Sequence, residues 1–431
     1  MSAADDVVAS ITREEVVELA LDICNIDSSV GHEAEVGERI FNWMKDEGFG
    51  ARKIGLFEHR FSVLGTLPGT GDGYSLLFNS HMDTGVPRED DLTHIDWQKP
   101  LYRGAWTEGD LLVGEGICND KGPMAAFMIA GRAIKRAGLK LRGDLLLGAV
   151  AAETAGEPID IEPPGAYMET REVGSRFFAT HGGIADYALI AEGTGFGLGW
   201  VEAGEFWFRI RVYSEAPPYY APYQPERSEM VKSPNMLVAS TAAIEAIENW
   251  AKDYQVSNTY KCPGGTIVPK ALIGAIRSGN PHRPYYLPQY ADLYLDVFTV
   301  PNQDPGSMKA ELSEVIRKTG LPFTIDQYHY RPGYEAKNVG HFADAVTRAH
   351  RATFSENPKP PHVETTSMWR DINVYNELGI PAITYGPRST THSHKRALTI
   401  ESLYQAACVY ARIAIEVCSE EKPATRIRKA R

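Results

Sequence analysis

The first two hundred residues of this 431-residue chain alternate helix-like and strand-like segments, and this alternation limits the fold more than any other feature. Apolar residues recur at helical spacing in 13–26, 33–47 and 124–137, whereas 73–78 and 144–150 are short apolar runs of strand length. Strands that alternate with helices are typical of a mainly parallel sheet flanked by helices. The sequence therefore predicts an α/β fold.

The pattern changes in the middle of the chain. Residues 205–213 alternate apolar and polar side chains, as a strand of a half-exposed antiparallel sheet does, and 236–253 has the spacing of a helix. Toward the end of the chain, helix and strand alternate once more. We expect a main domain built from residues 1–202 and 336–431, with an inserted α+β lid domain of residues 203–335.

Composition and charge exclude several classes of protein. The formal net charge of −12 disfavours nucleic acid as a partner, and no apolar run approaches the roughly 20 residues of a membrane span. The five cysteines are scattered without CxxC spacing, which is typical of a reducing compartment. The first ten residues contain no basic segment and no long apolar core, so we expect no signal peptide. These features predict a cytoplasmic protein that binds neither nucleic acid nor membranes.

The segment SHMDTGVP places His81 and Asp83 where an apolar strand gives way to a loop. The run SLLF at 75–78 precedes it, and Gly85 and Pro87 end regular structure. Ligands bind at the carboxyl ends of strands in α/β sheets, and side chains two residues apart on an extended backbone point to the same side. His81 is therefore a candidate metal ligand that Asp83 supports, although a surface loop explains the pair equally well from local sequence.

Four more acidic or histidine side chains stand at similar places. Asp120 precedes a Gly-Pro break and a helix, Glu153 and Glu192 follow apolar strands, and His392 follows a strand and a Gly-Pro turn. Local sequence also fits a charged turn at Asp120, a helix or turn cap at Glu153 and a solvent-exposed loop at His392. The recurrence favours a metal site, and mixed histidine and carboxylate ligands suit zinc, manganese or cobalt. Glu153 is also a candidate general base for a metal-activated water.

In this order the motifs resemble those of the metallohydrolase family of acetylornithine deacetylase, succinyl-diaminopimelate desuccinylase, aminoacylase and the glutamate carboxypeptidases. The segments SHMDTGVP, GEGICNDKGPMAA and ALIAEGT carry the resemblance, which covers nearly the whole chain. It implies that His81 and Glu192 bind one metal ion and that Asp120 bridges two. It also implies that Asp83 supports the base or a ligand and that His392 binds the second ion. The main domain would then be a zinc-peptidase-like catalytic domain, and the lid would form a homodimer.

Two further segments gain a role from the resemblance. Trp369-Arg370-Asp371 lies before Gly379-Ile380-Pro381, much as a Ser-Asp pair does in relatives. Arg370 and Asp371 are therefore candidates for binding the second metal or the substrate. Asn235 stands at the start of the first lid helix, where relatives often place a substrate-binding asparagine.

The third family signature is altered in this chain. In relatives it is an Asp-Glu-Glu run, in which the first Glu is the general base and the second binds the second metal. Here it reads Ala152-Glu153-Thr154, which keeps the base and replaces the ligand by a threonine. Glu157 or Glu172, in the insert that follows, could restore that ligand. We expect one firmly bound ion rather than two, held by His81, Asp120 and Glu192. His392 and Arg370 would then be left to hold substrate.

The lid also departs from the family pattern. Relatives usually carry there a histidine that polarises the scissile carbonyl, and residues 212–220 contain none. A branch of the family that deaminates nitroanthranilates by hydrolysis has no such carbonyl. Lid tyrosines such as Tyr219, together with Arg283, would suit an aromatic carboxylate, because rings stack and arginine pairs with carboxylates. Lid packing or a dimer interface explains the tyrosines as well.

The sequence thus predicts a metal-dependent hydrolase that cleaves a non-peptide carbon–nitrogen bond of a small carboxylate-bearing substrate. Glu153 is the expected general base, and hydrolytic deamination of an aromatic amine is the leading reaction. An N-acyl amino acid deacylase, or a dipeptidase or carboxypeptidase, is the alternative. A binding relative without catalysis is a second alternative, which the altered signature favours and the intact base and ligands oppose.

Overall fold

A computed structural model describes residues 2–85, 96, 98–154, 174–226, 229–388 and 396–423. Its α-helices are α1 (Ala3–Ala9), α2 (Arg13–Cys24), α3 (Ala34–Asp46), α4 (Pro100–Arg103), α5 (Glu115–Cys118), α6 (Lys121–Arg136), α7 (Gly174–Thr180), α8 (Met236–Ser257), α9 (Pro305–Arg317), α10 (Gly340–Phe354), α11 (Val363–Thr366), α12 (Ile372–Glu377) and α13 (Ile400–Cys418). Its strands are β1 (Arg52–Phe57), β2 (Arg60–Leu67), β3 (Leu76–His81), β4 (Trp106–Glu108), β5 (Leu111–Val113), β6 (Leu145–Val150), β7 (Tyr187–Ile190), β8 (Val201–Glu202), β9 (Gly204–Tyr213), β10 (Tyr260–Cys262), β11 (Gly265–Ile267), β12 (Ala271–Ser278), β13 (Tyr290–Thr299), β14 (Phe323–Arg331), β15 (Tyr334–Glu335), β16 (Ala382–Thr384) and β17 (Ala397–Thr399).

A six-stranded sheet in the order β1-β2-β6-β3-β7-β16 organises the larger part of the molecule. The four strands β6, β3, β7 and β16 run parallel, and β1 and β2 extend the sheet antiparallel at one edge. The central strand β3 is buried along its whole length. Its apolar start, Leu-Leu-Phe, is typical of a parallel strand that is covered on both faces.

Helices cover both faces of this sheet. Leu76 and Phe78 of β3 belong to one apolar cluster with α2, α3, α6, α10 and α13, whereas Leu77 points to a second cluster with α7 and α12. Helix α6 is buried on nearly all sides, and its small residues, such as Ala126 and Ala130, let it fit between the sheet and α13. This packing fixes the start of α6 beside the ends of the parallel strands.

A separate four-stranded antiparallel sheet, in the order β12-β13-β9-β14, lies in the middle of the chain. Residues of β9 are alternately buried and half-buried, which matches the alternation of its sequence. The buried side chains of this sheet form their own apolar core with α8 and α9. The boundaries of the lid domain at residues 203 and 335 stay a prediction.

The predicted fold class is confirmed: a mainly parallel, helix-flanked sheet is combined with an α+β insertion. The hairpin β1–β2 and the edge strand β12 were not predicted from the sequence pattern. Among the described residues, no helix is long and apolar enough to cross a membrane.

Candidate metal centre

The parallel strands bring three predicted site residues to one edge of the sheet. His81 is the last residue of β3 and pairs with Val150 at the end of β6, three residues before Glu153. Strand β7 ends at Ile190, two residues before Glu192. Parallel strands end at the same edge of a sheet, so these side chains meet although they are far apart in sequence.

His81, Asp120 and Glu192 form a cluster that could hold a metal ion. One potential ligand atom from each lies within 4.8 Å of the others, and all three residues are buried. Nδ1 of His81 donates a hydrogen bond to the backbone carbonyl of Asp83 at 2.8 Å. This bond leaves Nε2 as the imidazole nitrogen for a metal, as backbone carbonyls commonly do for metal-bound histidines.

Asp120 provides the clearest test of whether a cation fits here. It is fully buried at the start of α6, where its Oδ2 accepts a hydrogen bond from the Ser80 hydroxyl at 3.0 Å. Its other oxygen, Oδ1, is buried and has no hydrogen-bond partner among the described residues. Burial and the neighbouring Glu192 raise the pKa of Asp120 above its usual range, although His81 opposes this. A metal ion would compensate the charge of such a buried carboxylate oxygen that has no hydrogen-bond partner, so the site fits a cation.

Glu153 lies next to the cluster without belonging to it. Its Oε2 is 3.8 Å from Nε2 of His81. Ala152 adopts a left-handed backbone conformation (φ 68°), unusual for a residue with a side chain, which turns the chain after β6 toward the site. Burial raises the pKa of Glu153 to about 8; His81 opposes this shift and Glu192 adds to it.

Neighbouring carboxylates raise the pKa of His81. Burial lowers the pKa of His81, but the nearby charges of Glu153 and Asp83 outweigh it and raise the pKa to about 10. A protonated histidine therefore balances part of the negative charge, and a metal ion would take over this role from the proton.

Asp83 ties the loop after β3 to the loop after β6. Its Oδ2 accepts hydrogen bonds from the backbone N–H of Thr154 at 2.9 Å and from the Thr154 hydroxyl at 2.6 Å. Its Oδ1 accepts from the backbone N–H of Glu153 at 3.1 Å. Thr154 thus binds Asp83 directly.

Arg370 is brought to the ligand cluster rather than to an open surface. Its Nε lies 2.6 Å from Oε2 of Glu192, and its Nη1 lies 3.2 Å from Oε1 of Glu202, at the end of β8. Nη1 also donates to the backbone carbonyl of Thr365. Asp371, next to it, accepts a hydrogen bond from Asn79 of β3 at 3.1 Å. The sequence singled out Arg370 and Asp371, but it gave no signal for Glu202 beyond an acid within an apolar run.

A cleft of about 510 Å³ reaches Ala152, the residue before Glu153, and Asp371, the residue after Arg370. Arg331 of β14 lines it, donates from Nη1 to the backbone carbonyl of Glu153 at 3.1 Å, and lies 4.3 Å above the ring of Trp369. The wall combines aromatic, cationic and small polar residues from β14, α7, α12 and the loops beside them: Ala152, Gly174, Ser175, Arg176, Gln327, Tyr328, His329, Tyr330, Arg331, Pro332, Trp369, Asp371, Asn373, Val374 and Glu377. Strand β14 was not predicted to contribute to the site, and the aromatic and basic residues of its second half were the available signal.

The other predicted residues are placed differently. Asn235 caps α8, because its Oδ1 accepts the backbone N–H of Leu237 at 3.0 Å. Tyr219 is half-buried and Arg283 is exposed, and neither is among the described residues that line the cleft. The remaining three predictions, His392, Glu157 and Glu172, fall outside the described residues.

The fold and this site together define a metal-dependent hydrolase. A model of the family described as Peptidase family M20/M25/M40 matches residues 77–416, and the chain belongs to this family. Its members bind divalent metals, and the chain is an enzyme that hydrolyses carbon–nitrogen bonds.

Individual relatives are distant over their full length. The chain is 23% identical over 448 residues to an N-formyl-4-amino-5-aminomethyl-2-methylpyrimidine deformylase of Bacillus subtilis strain 168, covering 95% of this chain and 96% of the relative. Among solved structures, a tripeptidase from Staphylococcus aureus superposes with a TM-score of 0.67 at 15% identity, covering 95% of this chain and 99% of that one. An M20 family metallo-carboxypeptidase from Sulfolobus solfataricus gives 0.67 at 14%, covering 94% and 99%. These structural likenesses show the fold alone.

Proposed function

We propose that this protein hydrolyses a carbon–nitrogen bond of a small aromatic substrate that carries a carboxylate, with Glu153 as the general base. The observation that carries the proposal is the position of Glu153: its carboxylate lies 3.8 Å from Nε2 of His81, and the residue before it lines a cleft of aromatic and cationic side chains. A general base must lie near the water that it deprotonates. Glu153 is close to the ligand cluster and is not one of its members.

In this proposal one divalent ion, zinc or manganese, is held by His81, Asp120 and Glu192. When bound, such an ion supplies Lewis-acid chemistry that lowers the pKa of water toward neutrality. Glu153 takes the proton from the attacking water and returns it to the leaving nitrogen. Burial raises the pKa of Glu153 to about 8 in the metal-free site, and a bound cation would lower it toward the operating pH, where an acid–base group works best.

The walls of the cleft suggest the substrate class. Trp369, Tyr328 and Tyr330 offer aromatic surfaces, and Arg176 and Arg331 offer cations. A planar ring stacks on aromatic side chains, and a carboxylate pairs with a guanidinium. We infer an aminobenzoate-like substrate, in which water replaces the ring amine, so that ammonia leaves and a hydroxyl remains on the ring.

Deacylation of an aromatic N-formyl compound is the second candidate. The relative from Bacillus subtilis, which aligns with nearly the whole chain, is named as a deformylase of an aminopyrimidine. In that reaction water attacks the formyl carbon, the amide bond breaks, and formate and the free amine are released. The same base and the same aromatic cleft would serve it.

Product analysis separates the two reactions. Metal-loaded protein is incubated with nitro-substituted aminobenzoates, N-formyl aromatic amines, N-acyl amino acids and dipeptides, and released ammonia, formate and amino acids are quantified. We expect ammonia from an aminobenzoate without acyl cleavage. Formate release alone would replace the first reaction by the second. If none of these substrates is hydrolysed, the proposed aromatic substrate class is wrong.

The role of Glu153 is tested with the substrate found in this way. We expect Glu153→Gln to lower kcat by about 10²–10⁴-fold, the usual contribution of general acid–base catalysis, without changing the metal content. Glu47→Gln serves as the control, since Glu47 pairs with Arg136 at the opposite end of α6 from Asp120, and should keep the wild-type rate. A Glu153→Gln variant as fast as wild type would exclude Glu153 as the base.

A further inference from the structure

The Arg370 guanidinium occupies an unusual position for a positive charge. Arg370 is only 6% exposed, and it contacts a predicted metal ligand, Glu192, at 2.6 Å. Its other carboxylate partner, Glu202, is 2% exposed. The guanidinium thus lies between two buried carboxylates, at the edge of the ligand cluster.

Glu202 resembles a metal ligand without an ion. Its Oε1 accepts hydrogen bonds from the Thr384 hydroxyl at 2.8 Å and from Arg370, whereas its Oε2 is buried without a hydrogen-bond partner among the described residues. Burial is expensive for a carboxylate unless a cation or several donors compensate its charge. Arg370 is the cation that the structure places against it.

We propose that Arg370 is a built-in cation that takes the place a further metal ion would otherwise occupy between Glu192 and Glu202, a position distinct from the second-ion site that the family resemblance gives to Asp120 and His392, and that it thereby restricts this side of the site to one ion. This inference rests on the proposed one-ion site. An arginine suits the task because its guanidinium stays charged at any physiological pH, and its planar fork can serve two carboxylates. The Thr365 carbonyl, which accepts a third bond, holds the fork in place.

The arrangement also limits how Glu192 binds an ion. Because Arg370 engages Oε2 of Glu192, this carboxylate would reach a metal through its other oxygen only. Arg370 is therefore a positioning residue for the ion held by His81, Asp120 and Glu192, as well as a substitute for an ion between Glu192 and Glu202. Both roles follow from the same two contacts, and both can be measured as metal binding without reference to any substrate.

Metal counting on the full-length protein tests the proposal. Wild type and variants are stripped with a chelator and dialysed against excess zinc or manganese, and bound ions per chain are measured by mass spectrometry. We expect one ion in wild type and in Arg370→Lys, which keeps the charge. In Arg370→Met the freed carboxylates of Glu192 and Glu202 should take up a second ion. The double variant Arg370→Met/Glu202→Gln should return to one, because Glu202 has lost its charge.

Affinity for the first ion gives an independent measure. Loss of a side chain that orients a metal ligand commonly weakens metal binding by about 10–100-fold. We expect a weakening of this size in Arg370→Met/Glu202→Gln, which removes one positive and one negative charge and therefore keeps the buried charges balanced. This variant decides the question if Arg370→Met alone fails to fold. Arg211→Met is the control, since Arg211 pairs with the buried Asp292 within the sheet of β9 and β13, and its metal content and affinity should not change.

Each outcome has a separate meaning. Two ions in wild type would overturn both the one-ion site and the role of Arg370. One ion in wild type, with unchanged count and affinity in both Arg370→Met variants, would overturn the role of Arg370 alone. Failure of all hydrolysis assays would contradict the proposed reaction but would leave the metal counts, and this inference, unaffected.

Discussion

Thr154 shows how one residue can alter a metal site and still keep its geometry. At the position that the resemblance to relatives gives to a second glutamate, the threonine hydroxyl and backbone N–H both donate to Oδ2 of Asp83. The neighbouring N–H of Glu153 donates to Oδ1. Asp83 therefore fixes the direction of the loop that carries the proposed base, and Thr154 supplies the side-chain bond of this clamp.

Removal of the Thr154 hydroxyl should loosen the proposed base. In Thr154→Val, a buried charged oxygen of Asp83 loses one donor, which costs on the order of 1.5–3 kcal/mol of unfolding free energy for a hydrogen bond to a charged group. We expect lower kcat with little change in metal content, and Thr154→Ser should restore both stability and rate. Urea unfolding and steady-state kinetics measure the two effects. A Thr154→Val enzyme that matches wild type in both would contradict the clamp.

Single residues differ in how far sequence can assign them. His81, Glu153 and Glu192 were predictable because each follows a short apolar strand, and parallel strands end together. The ion pair of Arg370 with Glu202 joins residues 168 positions apart, and no local pattern marks either partner. Such a pair depends on tertiary packing, so sequence alone could single out Arg370 but could not give its contacts.

At the level of secondary structure, a strand was predictable where its burial leaves a regular pattern in the sequence. Strand β9 was predictable because one of its faces is buried and its apolar residues therefore alternate. Strand β12 lies at the edge of the lid sheet, and Leu272 and Ile276 within it are exposed, so its burial has no period to recognise. Strand β1 is another edge strand, in which Ile54 is the buried position of a mostly exposed run. In β1 and β12 too few side chains are buried to leave a regular alternation in the sequence.

The start of α8 is the element on which the role of Asn235 can be tested. Its side-chain oxygen accepts the N–H of Leu237, so Asn235→Ala should destabilise the protein by about 1 kcal/mol, the usual cost of a lost helix cap. Asn235→Ser should keep most of that stability, because serine caps helices as well. An alanine variant as stable as wild type would contradict the capping role. A higher KM in the stable serine variant would support the substrate contact that the resemblance to relatives implies.

On the scale of the whole molecule, most of the buried carboxyl groups among the described residues are gathered at one place. The net charge is −12, and the carboxyl edge of the parallel strands gathers several buried carboxylates: Asp83, Asp120, Glu153, Glu192, Glu202 and Asp371. Arg370 and His81 offset part of this charge. A cation that binds here stabilises the folded chain relative to the unfolded chain, where no such site exists. Stability, pH and metal content are therefore linked in this protein.

We predict that the metal-free protein loses stability as the pH rises from roughly 5 to 9. Burial raises the pKa of Glu153 from 4.5 to about 8 and that of Glu202 from 4.5 to about 7. The folded chain therefore keeps protons that the unfolded chain has released, and the penalty grows across this range. His81 acts in the same direction. Its pKa rises from 6.5 to about 10 in the folded state, so the stabilisation present below pH 6.5 is lost as the pH passes through 10.

Thermal unfolding of chelator-treated and metal-loaded protein at about pH 5, 7 and 9 measures this linkage. A bound ion replaces the protons of the site, and metal binding strengthens as its ligands deprotonate, so the Tm of the loaded protein should depend less on pH. The gap in Tm between loaded and metal-free protein should therefore widen toward pH 9. A metal-free protein that is as stable at pH 9 as at pH 5 would show that the buried carboxylates are not protonated in the folded state, and that another cation balances them.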